Sequence, residues 1–197
     1  MLYPAIEPTR KTGEESIIAS NGNEVGKLLD FWQWAYSDLI GNTERGAIAE
    51  YLVACALGIQ DGTRISWDKY DLVSPDGITI EVKSSGYLQT WDQEKLSSPL
   101  FSIQPTFGWD SITNRYDKEK KRQADIYVFC VHKHKDTATV NPLDTAQWDF
   151  YVLPTTQLNE QAGDQRTISL ASLLRMGAVL CAFEDLGKLI TILVKGK

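Results

Sequence analysis

The chain has 197 residues, of which 43% are hydrophobic, 23% charged and 10% aromatic. This length and composition fit one globular domain with a sizeable core and exclude a wholly disordered chain. The net charge of −6 excludes a protein that coats nucleic acid with its whole surface, although a local basic patch can still contact phosphates.

Three features of the sequence bear on the cellular compartment. Cys55, Cys130 and Cys181 are widely spaced and form no CxxC pair, which is typical of reduced, buried thiols. The first twenty residues mix proline with charged side chains and do not resemble a secretory signal. The uncharged stretch around Gln104 and Pro105 is too polar for a membrane-spanning helix. We therefore expect a cytoplasmic protein with no membrane partner.

The beginning of the chain predicts two helices. Residues 1–22 are a lead-in rich in Pro, Gly, Ser and Glu, and Asn23 is a suitable N-cap for the first helix. Apolar residues recur at helical spacing from Val25 to Ile40. Thr43 can cap a second helix, which runs from Glu44 to about Leu57.

Strand patterns come next, and helical patterns return in the tail. We predict strands at Arg64–Trp67, Tyr70–Val73, Ile78–Lys83, Phe101–Ile103, Ala124–His132 and Trp148–Leu153, the end of a polar helix at Asp117–Gln123, and helices at Ser169–Met176 and Phe183–Leu193. This order predicts an α/β fold with a mixed central sheet flanked by helices. Because no internal boundary stands out, we expect one domain over residues 1–197, with residues 1–43 packed on a core of residues 44–197.

The turn Pro75-Asp76-Gly77 makes it possible to predict how the two strands that flank it pair. In the strand after it, Glu81 and Lys83 share one face and the intervening aliphatic residues share the other. A three-residue loop would place Asp71 directly opposite Glu81. A two-residue loop would shift the register by one residue and turn Asp71 to the other face.

The carboxylates of this region predict a cation site. Two carboxylates opposite each other on a sheet repel, unless a cation lies between them. Glu50 is the only charged residue in the apolar segment 46–59, and a buried carboxylate also requires a cation. Oxygen ligands without a Cys or His pattern suit Mg²⁺ or Mn²⁺ rather than zinc. Lys83, on the same face as Glu81, could orient a water or stabilise developing negative charge near Asp71.

Each of these residues also has an ordinary structural explanation. Glu81 and Lys83 could form an ion pair on a solvated strand face. Glu50 could lie on an exposed ridge or pair with Arg45 or Arg64. Asp71 could be a surface acid near the turn. The sequence alone leaves these alternatives open.

Glu50, Asp71 and Glu81-Val82-Lys83, in this order on helix, strand and hairpin, resemble the core of the PD-(D/E)xK nuclease superfamily, which includes restriction endonucleases and Holliday-junction resolvases. The resemblance covers residues 44–83. It implies a restriction-endonuclease-like core and metal-dependent hydrolysis of DNA phosphodiester bonds. In this sequence Tyr70 stands where the superfamily often has the proline of its Pro-Asp pair.

The resemblance also implies roles for the individual residues. Mg²⁺, with Mn²⁺ as a substitute, would bind Asp71, Glu81 and the main-chain carbonyl of Val82. Lys83 would be the catalytic lysine, and Glu50 would contact the metal or its water. No GxxxxGK[ST] loop occurs, so we expect no nucleotide cofactor.

The remaining expectations concern binding partners. Lys118, Lys120, Lys121 and Arg122 form a basic run that could contact DNA phosphates, although such runs are usually solvated helix ends. The aromatic residues of the first predicted helix, among them Trp34, suggest a contact in a homodimer, because one site cuts one strand and a duplex has two.

Two other classes of function stay open. A nucleic-acid-binding module could keep this fold without cleaving its ligand. A structural or interaction protein could carry the same acidic and basic residues by coincidence, and would then have no affinity for metal.

Overall fold

The structure is a computed structural model that describes residue 3 and residues 6–65, 68–110 and 115–196, the side chain of Asp110 excepted. The predicted strand Arg64–Trp67 therefore lies partly outside the described residues, and its first two residues are not in a strand. No helix within the described ranges is long and apolar enough to cross a bilayer.

A mixed five-stranded sheet forms the centre of the fold, as predicted. Its members in chain order are β3 (Leu72–Val73), β4 (Thr79–Gly86), β8 (Ile126–His132), β9 (Trp148–Pro154) and β11 (Val179–Cys181). The spatial order is β11-β9-β8-β4-β3, with β4 and β8 parallel and the other neighbours antiparallel. Strand β3 is thus an edge of the sheet.

The remaining elements form short accessory ribbons, a 3₁₀ turn and five helices in the described ranges. They are β1 (Ser16–Ile18), β2 (Glu24–Lys27), α1 (Leu28–Tyr36), α2 (Asn42–Leu57), β5 (Leu100–Ser102), β6 (Trp109–Asp110), β7 (Arg115–Tyr116), a 3₁₀ turn (Thr145–Gln147), α3 (Thr155–Ala162), β10 (Thr167–Ser169), α4 (Leu170–Arg175) and α5 (Phe183–Lys195). Strand β1 pairs with β2, β5 with β10, and β6 with β7.

Helices cover both faces of the central sheet, so the predicted α/β class is confirmed. On one face, Ile80 and Val82 of β4 pack with the aliphatic residues of α2 and α5. On the other face, Tyr127 and Phe129 of β8 pack with β5, β10, α3 and α4. Residues of β4 alternate between these two cores, and Glu81 and Lys83 therefore point to the side of β5 rather than of α2.

The N-terminal region differs from the prediction. Asn23 caps no helix, because Glu24–Lys27 pairs as β2 with β1. Helix α1 begins at Leu28, where the carboxylate of Asp30 accepts a hydrogen bond from the backbone N–H of Lys27, and it ends at Tyr36, before the predicted end. Helix α1 has no buried residue. The second predicted helix is confirmed as α2, but its N-cap is Gly41 and not Thr43, which lies inside the helix. Gly58 ends this helix in a left-handed conformation with φ of 70°.

The polar segment before β8 is also different. The sequence predicts the end of a helix at Asp117–Gln123, but Lys121 instead forms a β-bridge with Thr106. Both backbone hydrogen bonds of this bridge are present, at 3.0 and 3.1 Å. The lysines of this segment have adequate helix propensity, which explains the helix prediction. The prediction is wrong because pairing with the segment at Thr106 overrides that local preference.

Candidate active site

The β3–β4 hairpin has the three-residue loop that its sequence predicts. The backbone N–H of Ser74 donates to the carbonyl of Ile78 at 2.9 Å, and Gly77 takes a positive φ of 79°. The register continues through Val73 opposite Thr79 to Leu72 opposite Ile80. The two-residue alternative is therefore excluded.

Asp71 lies one residue beyond the last regular pair of β3. Its backbone N–H donates to the carbonyl of Ile80 at 3.1 Å, and its carboxylate accepts a hydrogen bond from the backbone N–H of Val82 at 2.7 Å. Asp71 thus bonds to the residues on both sides of Glu81 and is fixed beside it at the edge of the sheet. This contact is made by the N–H of Val82, whereas the predicted metal ligand is the carbonyl of the same residue.

Glu81 and Lys83 lie on the same face of β4, as predicted, and form an ion pair of 2.5 Å. Their side chains are 19% and 28% exposed, so the pair is partly buried and not on a fully solvated face. Together with Asp71 they line one cleft of about 170 Å³. The rest of its wall is mainly polar and includes Ser102, Gln104, Gln123 and Tyr127.

The electrostatic environment disfavours ionised Asp71. Burial, and then the negative charge of Glu81, raise the pKa of Asp71 to about 7, against the lowering effects of the Val82 hydrogen bond and of Lys83. The charge of Glu50 raises this pKa further. Burial is therefore the main cost of ionising Asp71, and the charges of the neighbouring carboxylates add to it.

Glu50 approaches Asp71 from the other face of the sheet. It projects from α2 into a cavity that Asp71 also lines, whereas Glu81 lies in the cleft with Lys83. Arg64 binds both carboxylate oxygens of Glu50, at 2.5 Å from Nε and 2.8 Å from Nη2. Of the two arginines considered from the sequence, Arg64 is thus the partner of Glu50, and the buried Arg45 bonds instead to carbonyl and amide oxygens.

Asp71 therefore lies where the two cavities meet, with Glu50 on one side and Glu81 and Lys83 on the other. Within the described residues, no three carboxylate, imidazole or thiol side chains lie close enough together to hold a metal ion as they stand. The arrangement brings Asp71, Glu81 and Lys83 together and leaves Glu50 with Arg64.

Tyr127 is a site residue that the sequence analysis missed. The sequence predicts it only as part of a buried strand, but parallel pairing places it beside Glu81, and it lines the cleft. Burial, followed by the charge of Glu81, raises the pKa of its hydroxyl well above the usual range. Only the adjacency of β4 and β8 could have identified it.

The predicted basic run divides into two parts. Lys118, Lys120 and Lys121 are exposed, and the bridge from Lys121 to Thr106 brings this loop to the rim of the cleft. Arg122 is buried, and its guanidinium donates to the carbonyls of Ile103 and Gly163 and to Asn159. We therefore correct the expectation for Arg122, because its hydrogen bonds are committed to the fold.

Comparison with known proteins identifies the family. A family model described as bacteriophage T4 endonuclease IV matches residues 20–172. No curated protein matches the chain significantly. The matched segment is more than half of the chain and includes the entire hairpin, α2 and the basic loop. The chain belongs to the family of bacteriophage T4 endonuclease IV.

Proposed function

We propose that the chain is a metal-dependent DNA endonuclease of the PD-(D/E)xK type, in which Asp71, Glu81 and the main-chain carbonyl of Val82 hold Mg²⁺. The observation that carries this proposal is that Asp71 and Glu81 meet in one cleft with Lys83, on a hairpin whose register fixes their order. Membership of an endonuclease family supports phosphodiester hydrolysis as the reaction.

The donor set is compatible with magnesium. Two carboxylates and a main-chain carbonyl are hard oxygen ligands, and Mg²⁺ commonly binds through one or two carboxylates while keeping several waters. A divalent cation would also balance the negative charge that Asp71 and Glu81 accumulate. When bound, it would supply an activated water and neutralise charge on the scissile phosphate.

The protein's own groups would do the rest of the chemistry. Lys83 is held by Glu81, and its ammonium can orient the attacking water or donate to a phosphate oxygen. Tyr127 lines the same cleft, and its hydroxyl could donate a further hydrogen bond to phosphate. Glu50 can serve as the helix acid near the metal only if it gives up its contacts with Arg64.

DNA is the proposed substrate, and the exposed lysines of the basic loop are its proposed phosphate contacts. Lys118, Lys120 and Lys121 can supply local positive charge at the rim of the cleft in a chain whose net charge is −6. Lys121 also lies 3.7 Å from Asp117, a long ion pair in which the lysine is exposed and can turn to a DNA phosphate.

The alternative is a nucleic-acid-binding module of the same fold that does not cleave. The ion pairs of Glu50 with Arg64 and of Glu81 with Lys83 favour it, because they supply cations without any metal. In that case the carboxylates would be neutralised by the protein alone. Mg²⁺ would then leave the affinity for nucleic acid unchanged, and the bound nucleic acid would stay uncleaved.

A cleavage assay distinguishes these functions. Purified protein is incubated with plasmid, linear and branched DNA in Mg²⁺, in Mn²⁺ or in EDTA. We expect cleavage with either metal, none in EDTA, and loss of at least about a hundredfold in rate for Lys83→Ala and Glu81→Ala. Lys133→Ala is the matched control, because Lys133 also forms an ion pair, with Asp149, away from the cleft.

Two results would contradict the proposal. Cleavage that persists in Lys83→Ala and Glu81→Ala would place the reaction elsewhere. DNA binding without cleavage on any substrate, at equal affinity in Mg²⁺ and EDTA, would favour the binding module.

A further inference from the structure

The cleft that contains Asp71 and Glu81 continues into a second hollow. This hollow has a volume of about 170 Å³ and reaches the β6–β7 ribbon, where Trp109 and Tyr116 line it. Four of its residues also line the cleft, namely Asp68, Lys69, Thr106 and Gln123. The cleft and the hollow therefore adjoin and form one groove, which runs from the proposed metal site to the ribbon.

The far end of this groove is built by specific packing. The rings of Trp109 and Tyr116 are in contact across a regular pair of the ribbon, with centroids 4.8 Å apart. Gly108 is buried next to Trp109, and a β-carbon on it would lie 2.8 Å from the side chain of Gln123. The side-chain amide of Gln123 donates to the carbonyl of Thr106 at 3.0 Å. The ribbon is thereby joined to the wall of the cleft.

Lys69 lies where the cleft and the hollow meet. It is partly buried, and two residues of chain, at most about 7 Å, separate its backbone from that of Asp71. The carboxylate of Asp68 accepts a hydrogen bond from the backbone N–H of Lys69 at 2.6 Å. Because Asp71 is in turn bonded to β4, the fold determines where Lys69 lies relative to the proposed metal site.

The charges of the groove make Lys69 suitable for binding a phosphate. Among the described residues that line the groove, the cations are Lys69 and Lys83, and the carboxylates are Asp68, Asp71 and Glu81. With a divalent cation bound, the positive charges of the groove exceed its negative charges by one. Lys83 is paired with Glu81, and only Lys69 lines both parts of the groove. Lys69 is therefore the cation that a strand would meet between the reacting centre and the ribbon.

We propose that Lys69 is a positioning residue that binds the phosphate next to the scissile one, on the side of the β6–β7 ribbon. The inference rests on the proposed function and adds to it the direction in which the substrate strand leaves the cleft. A lysine ammonium binds phosphate as a point charge and does not read the base. Lys120, whose ammonium lies 5.3 Å from the centre of the Phe107 ring at the hollow, would contact a phosphate further along the same strand.

The test uses DNA oligonucleotides in which one phosphate at a time is made neutral as a methylphosphonate. Cleavage by the wild type locates the scissile phosphate, and Kd is then measured with Lys83→Ala protein in Mg²⁺, so that cleavage does not interfere. Lys69→Ala, added to Lys83→Ala, should raise the Kd of unmodified DNA about tenfold and reduce the salt slope of binding by about one. It should leave Kd unchanged for DNA that is neutral at the neighbouring phosphate, because that contact is already lost.

Further variants separate the charge of Lys69 from its packing. Lys69→Met keeps the length of the side chain without its charge and should weaken binding as much as Lys69→Ala, whereas Lys69→Arg should restore most of the affinity. Lys120→Ala should be coupled to a more distant phosphate on the same side of the cleavage site. Lys133→Ala is the matched control, because Lys133 lines neither part of the groove. Thermal unfolding of each variant verifies that the fold is intact.

The outcomes separate this inference from the proposed function. Wild-type cleavage with no phosphate coupled to Lys69, or with a coupled phosphate that is not next to the cleavage site, would overturn the inference and leave the nuclease intact. Coupling of Lys69 and Lys120 to phosphates on opposite sides of the cleavage site would do the same. Absence of wild-type cleavage, with one phosphate coupled to Lys69, would support the phosphate contact and overturn the nuclease. Absence of both would overturn both.

Discussion

Replacement of Asp71 by asparagine should stabilise the metal-free protein at pH 8. Burial and the charge of Glu81 raise the pKa of Asp71 from 3.8 to about 7, so the folded protein holds this carboxylate against an electrostatic cost. Asparagine keeps an oxygen that can accept the 2.7 Å hydrogen bond from the backbone of Val82, but it carries no charge.

The size of this stabilisation is set by the difference in proton binding between the folded and unfolded states. The carboxyl group ionises near pH 3.8 in the unfolded chain and near pH 7 in the folded one. Between these values the folded state binds more protons, so the free energy of unfolding falls as the pH rises from about 4 to about 7 and is then level. At about 1.36 kcal/mol per pKa unit, the rise from 3.8 to about 7 costs about 4 kcal/mol at pH 8. The asparagine variant should not have this cost, because its side chain does not ionise.

Urea unfolding in EDTA at pH 4.5, 6 and 8 measures this difference. We expect Asp71→Asn to be more stable than the wild type at pH 8 and nearly equal to it at pH 4.5. Asp149→Asn is the control, because it removes a carboxylate whose ion pair with Lys133 lies away from the cleft. A variant less stable than the wild type at every pH would refute the reasoning, since Asp71 would then be favourably ionised in the fold.

The remaining predictions concern the basic loop, a buried histidine and the N-terminal helix. Arg122→Ala should lower the free energy of unfolding by about 2–4 kcal/mol, because three acceptors lose their donor. Lys120→Ala should lower it by no more than about 1 kcal/mol, since only the contact of its ammonium with the Phe107 ring is lost, and should reduce the salt slope of DNA binding by about one. Burial and the charge of a nearby arginine lower the pKa of His132 to about 4, so stability should be lost as the pH falls from about 6.5 towards 4. Urea unfolding measures this loss in protein that also carries Asp71→Asn. The loss should disappear when His132→Phe is added and persist when His134→Gln is added. Trp34 is 85% exposed on α1. If this surface forms the expected homodimer, light scattering should give twice the chain mass for the wild type and a lower mass for Trp34→Ser. A monomeric wild type would contradict the dimer.

The parts of the site that depend on neighbouring residues could be predicted from the sequence. The turn Pro75-Asp76-Gly77 determines a three-residue loop, and the strand pleat then places Glu81 and Lys83 on one face. The position of Asp71 beside Glu81 could be counted along this hairpin. Its hydrogen bond to the backbone of Val82 could not, because the pairing becomes irregular at Asp71 itself.

The parts that depend on distant segments could not be predicted in the same way. Tyr127 reaches the cleft only because β8 is the parallel neighbour of β4, and periodicity marks both strands as buried without pairing them. Arg122 resembles its lysine neighbours in the sequence, but its acceptors are Ile103 just after β5, Asn159 in α3 and Gly163 just after α3. The predicted start of the first helix at Val25 was wrong because β2 pairs with β1, and such pairing overrides local helical spacing before α1 begins at Leu28.

The single-domain arrangement of residues 1–197 remains a prediction that the exposed α1 makes testable. Helix α1 has no buried residue, and its N-terminus is held by backbone hydrogen bonds to Gly13 and Glu15. Limited proteolysis should therefore cleave first before α2, and the resulting core should retain cooperative unfolding if residues 44–197 form the main folding unit.

The most direct test of the account is a calorimetric titration of Mn²⁺ into metal-free wild-type, Asp71→Asn and Asp149→Asn proteins at pH 8. If Asp71 and Glu81 hold the metal, the wild type and Asp149→Asn should bind one ion with equal affinity, and Asp71→Asn should bind at least about tenfold more weakly. Equal binding by all three proteins, or no binding by the wild type, would contradict a metal centre at this hairpin.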